Sequence, residues 1–119
     1  MSMPAPIQII IGMAANAPDR TAVLEDIRML TATPAPLLEQ VERTLADGYA
    51  CALAIESERI RLRRQLEETA VTLGEGSGSH QVSQVAGLAQ GVARTDSELT
   101  ELRAALAGLA DMARRLRAA

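Results

Sequence analysis

From residue 37 to residue 73 apolar side chains return every three or four positions, the spacing of one face of an α-helix. Counted in heptads from Leu38, the seam reads Leu38, Val41, Leu45, Gly48, Ala52, Ile55, Arg59, Leu62, Leu66, Thr69 and Leu73. The run Gly74-Glu75-Gly76-Ser77-Gly78-Ser79 then interrupts it with residues that disfavour a helix interior and mark a turn at 74–79. A second seam follows, Val85, Leu88, Val92, Thr95, Leu99, Leu102, Leu106, Leu109, Ala113 and Leu116, in which Thr95 alone is polar. Folding the chain back at the glycines pairs residues whose numbers share one sum, so that Leu45 meets Leu109, Gly48 meets Leu106 and Leu62 meets Val92. The polar exceptions coincide as well: Arg59 falls opposite Thr95 and beside Asp96. The pattern therefore predicts a long antiparallel helical hairpin, coiled-coil-like, over residues 37–119.

Residues 1–36 form a different segment, a proline-containing N-terminal arm that holds Pro4, Pro6, Pro18, Pro34 and Pro36, all the prolines of the chain. Within it a short helix is expected to begin near Asp19 or Thr21, to bury Val23, Leu24, Ile27 and Leu30 on one face, and to stop before Thr33-Pro34. Ile7 to Met13 reads either as a short helix, with Ile7, Ile10, Ile11 and Ala14 on one face, or as an extended arm that docks on another subunit. Two bare helices of roughly 55 Å each, at ~1.5 Å per residue, leave apolar surface that a seam does not use. That surface includes Ala46, Tyr49, Leu53 and Ile60 on the first helix and Ala105 and Met112 on the second. The N-terminal helix is expected to cover part of it, as a three-helix bundle, and a second subunit the rest, as a dimeric four-helix core.

Composition agrees with an all-α fold. Hydrophobic residues make up 48% of the chain, but with no Phe, no Trp and one Tyr the core must be aliphatic. All basic residues are Arg, a bias that suggests a GC-rich, bacterial genome. A net charge of -3 and a pI near 5.1 argue against a nucleic-acid partner, which would call for a basic face and stacking aromatics. The single cysteine, Cys51, cannot close an internal disulfide. The apolar run Ile7 to Met13 is far shorter than the ~20 residues of a membrane span and lacks a basic stretch before it, so the expected location is cytoplasmic.

Candidate chemistry is sparse. His80 is the only histidine and Cys51 has none nearby, so no transition-metal set and no activated thiol is expected. Gly74-x-Gly76-x-Gly78 lacks the preceding strand and the Gly-Lys-Ser/Thr of a phosphate loop. Arg59, Arg61, Arg63 and Arg64 form a dense cationic run; flanked by Glu56, Glu58, Glu67 and Glu68, it reads first as a solvated, ion-paired face and second as a grip for an acidic partner or anion, while Arg114, Arg115 and Arg117 complement the C-terminal end of the last helix. No catalytic, cofactor or metal residue is assigned. The expected partner-binding residues are Ile7, Ile10, Ile11, Tyr49, Leu53, Ile60 and Met112, with the four arginines. They suit a non-enzymatic adaptor or scaffold that acts through helix–helix contacts, with itself and with another protein. The runs Leu38-Glu39-Gln40-Val41-Glu42-Arg43-Thr44-Leu45 and Glu56 to Leu66 resemble flagellar export chaperones of the helical-hairpin kind, over at most about a quarter of the chain. That resemblance implies binding of an unfolded helical segment. A regulator that senses a small anion through the arginines is the remaining expectation.

Overall fold

A computed structural model describes residues 19–73 and 78–119. Three helices account for nearly all of them: α1 (Arg20–Ala32), α2 (Leu38–Leu73) and α3 (Ser79–Ala118). Asp19 caps α1, its Oδ2 accepting from the Ala22 N–H at 3.2 Å. The helix ends where Thr33 turns extended ahead of Pro34, with the Thr33 N–H still reaching the Leu30 carbonyl at 3.2 Å. At the far end of the hairpin Gly78 precedes α3, and its N–H donates to the Gln81 side chain at 3.1 Å.

The hairpin is antiparallel in the register the sequence predicts. On α2 the seam positions Val41, Leu45, Gly48, Ala52 and Ile55 are buried, and on α3 Thr95, Leu99, Leu102, Leu106, Leu109 and Ala113 are. Gly48 fixes the alignment most directly: a Cβ built on it would overlap Leu106 Cδ2 and stand 3.3 Å from Leu106 Cγ, so the leucine occupies the space a side chain would take. Further up, a Cβ on Gly91 would lie 3.2 Å from Leu62 Cδ1, a second close approach in the same register. Between them sits the polar layer. Arg59 donates to Asp96 Oδ1 at 3.0 Å, and Thr95, fully buried, returns its hydroxyl proton to the Val92 carbonyl at 2.8 Å.

α1 lies along the hairpin as a third helix and covers one end of it. Val23, Leu24 and Ile27 enter one cluster with Val41, Leu45, Cys51, Ile55, Leu99, Leu102 and Leu109. Full burial of each such side chain stabilises by about 1.5–3 kcal/mol, so the covered end holds most of the hydrophobic gain. Polar pairs pin α1 at its start: Arg20 reaches Glu98 at 3.4 Å and Glu101 at 3.2 Å on α3. Beyond the Arg59 layer the hairpin continues as two helices, and among the described residues there only Gly91 is buried.

Candidate interaction surface

Helical geometry puts Tyr49 about 200° from Cys51, and the two residues mark opposite sides of α2. Cys51 is buried on the side that carries α1, near Asp19 and Arg20. Tyr49, on the other side, is 51% exposed, and it starts a stripe along α2 with Leu53 at 64%, Ile60 at 55% and Val71 at 68%. These are large apolar side chains in water at intervals of four, seven and eleven residues, which return to one helix face and which a folded monomer rarely leaves uncovered.

Beside this stripe, α2 and α3 enclose a groove of about 510 Å³. Tyr49, Ala52, Leu53, Leu106 and Ala107 give it an apolar floor, and the ion pair of Glu56 with Arg103 closes one end. The Leu106 side chain that fills the gap at Gly48 also lines this groove. Arg103 and Ala107 escaped the sequence reading because their place depends on which side α1 leaves open. The pairing of 48 with 106 nevertheless locates both, since each then falls on the Tyr49 side of the seam.

Among the other expected contact residues, Met112 and Arg59 do not share this surface, whereas Arg64, four residues beyond Ile60, borders it. Met112 is partly buried against the core cluster, and its spacing from Glu101 sets it on the α1 side of α3. Arg59 turns into the seam, where Asp96 takes one of its nitrogens and its Nε is buried without a partner. Arg61, Arg63 and Arg64 are exposed and make no ion pair among the described residues. Successive arginines of the run stand about 200°, 200° and 100° apart around the helix, so they point in different directions. Ile7, Ile10 and Ile11 lie outside the described residues.

Elsewhere the described residues offer little chemistry. No group of three or more His, Cys, Asp or Glu converges on a possible metal position among them. His80 is exposed in the first turn of α3. Burial pushes the Cys51 thiol above its ordinary pKa, with Asp19 and Glu98 adding to the rise and Arg20 opposing it, which disfavours the reactive thiolate. No helix among the described residues is long and apolar enough to cross a membrane. Comparison with protein-family models, with curated proteins and with solved structures finds no match to this chain.

Proposed function

We propose that this protein works by helix–helix contact, taking a partner α-helix on the face of the hairpin opposite α1, and that it carries out no catalysis. The observation behind this reading is the open apolar groove at Tyr49, Leu53, Leu106 and Ala107, rimmed by Glu56 and Arg103. A groove between two antiparallel helices accepts the apolar ridge of a third, and a rim of opposite charges orients it. A tyrosine at the centre of such a face is the side chain expected to dominate the binding energy, with Leu53 filling the groove beside it. The diverging arginines favour this reading over an anion sensor, because Arg61, Arg63 and Arg64 do not converge on one ligand. An adaptor and an export chaperone would both use the face; they differ in whether the helix that enters is folded beforehand.

Selection of helical peptides from a displayed library on the intact protein tests the reading. Peptides with apolar residues at helical spacing should be enriched, and Leu53→Glu should reduce their binding at least about tenfold, or ~1.4 kcal/mol. Peptides that bind the L53E variant as well as the parent would show that the groove is not the site.

A further inference from the structure

We propose that the helix that fills this face is α2 of a second copy of the chain, paired antiparallel about a twofold axis between Glu56 and Ser57. The inference rests on the helix-binding reading above and names its partner. Three observations converge on the arrangement.

The first is a fit of shape. Ile60 is the apolar side chain that stands out on the stripe above the groove, and Leu53, seven residues earlier, lies in the groove itself. Seven residues are two turns, or about 10.5 Å along the axis. A twofold axis midway between them carries Ile60 of each copy to the level of Leu53 in the other, over the mouth of the groove. Two identical contacts form at once, and the assembly closes as a dimer.

The second is charge. The same operation brings Arg64, exposed and without an ion-pair partner among the described residues, to the level of Tyr49, whose half-exposed ring is the one aromatic face in the chain. A guanidinium over a phenol ring is a favourable pairing. The two Glu56 carboxylates approach the axis, but each already holds Arg103 of its own chain, so the centre is not left with two bare negative charges. Glu67 arrives at the level of Ala46, one turn from Glu42, whose carboxylate already holds Arg117 of its own chain.

The third is bulk. Along the α3 edge of the face, Ala107 is exposed and small, and the longer Arg103 is drawn onto Glu56 of its own chain, which lets two hairpins approach closely. α1 sits on the far side and stays outside the contact.

The test uses the full chain with Cys51 replaced by Ala. The single variants Leu53→Cys and Ile60→Cys, mixed and oxidised, should give a covalent dimer, while Ile60→Cys alone should give little. In sedimentation the parent should be a dimer, and Ile60→Glu should raise the dissociation constant at least about tenfold with helicity retained. A parent that stays monomeric at every accessible concentration would overturn the proposal, as would a dimer indifferent to I60E. Efficient crosslinking of Ile60→Cys to itself would overturn the register. A link within one chain between Ile10→Cys and Leu53→Cys would name the N-terminal segment as the occupant instead. A monomer in which L53E still abolishes peptide binding would remove the second copy as partner and leave the helix-binding reading standing.

Discussion

At Gly48 the absence of a side chain is structural. Leu106 fills the missing Cβ position, whereas Gly87 and Gly108 have nothing within 4 Å of theirs. Exchange of glycine for alanine in an exposed helix interior stabilises by about 1 kcal/mol, because the unfolded chain loses freedom and the helix gains a better former. Gly87→Ala and Gly108→Ala should therefore raise the melting temperature. Gly48→Ala receives the same helical gain but must displace Leu106, and overpacking typically costs 1–3 kcal/mol. It should leave stability unchanged or lower it, and thermal unfolding followed by circular dichroism separates the two cases. This contrast was legible in the sequence once 48 was paired with 106. The seam itself was legible for the same reason, since heptad spacing fixes angles around a helix without reference to anything outside it.

At the scale of elements, what spacing could not reveal was the side on which α1 settles. Tyr49 and Met112 both read as apolar residues outside the seam, yet one is half exposed and the other packs on the core. Only the position of a third helix distinguishes them, and that depends on contacts far apart in the chain, such as Arg20 with Glu98 and Glu101. The stripe of Tyr49, Leu53 and Ile60 was thus found in advance, while Arg103 and Ala107 were not. Cys51 reports on α1 because the helix helps to bury it. A thiol reagent should modify it slowly in the native protein, and Ile27→Asp, which undermines α1, should accelerate the reaction. The raised thiol pKa has a defined sign as well. Its contribution to stability is complete below the unfolded value of about 8.5 and is lost as pH rises through the higher folded value. Denaturant unfolding across that alkaline range should show a decline that Cys51→Ala diminishes.

Across the whole molecule, burial is concentrated at one end. Three helices meet around Val41, Leu99, Leu102 and Leu109, all within 1% of full burial, while past Arg59 two helices share a narrow seam. Local opening free energy follows the density of buried contacts. Amide hydrogen exchange read by mass spectrometry should show residues 41–55 and 95–113 as the slowest set and residues 62–72 and 80–90 as markedly faster. Uniform protection along both long helices would contradict this gradient.

The close approach at Gly48 also bears on how many ways this hairpin can be assembled. A repeat of seven invites slippage, because a shift of one heptad returns apolar residues to apolar neighbours. One direction of slip would set Leu106 against Ile55 and leave Gly48 facing Ala113, a collision and a void together. The other would strand Arg59 against Leu88 and set Thr95 against Ala52, with Asp96 left behind. The glycine and the polar layer act like two dowels in a sliding joint: the polar layer resists travel both ways, since the first slip also sets Arg59 against Leu102, and the glycine adds a second stop to that slip. Between them they turn a periodic sequence into a single alignment, at a distance of only eleven residues along α2.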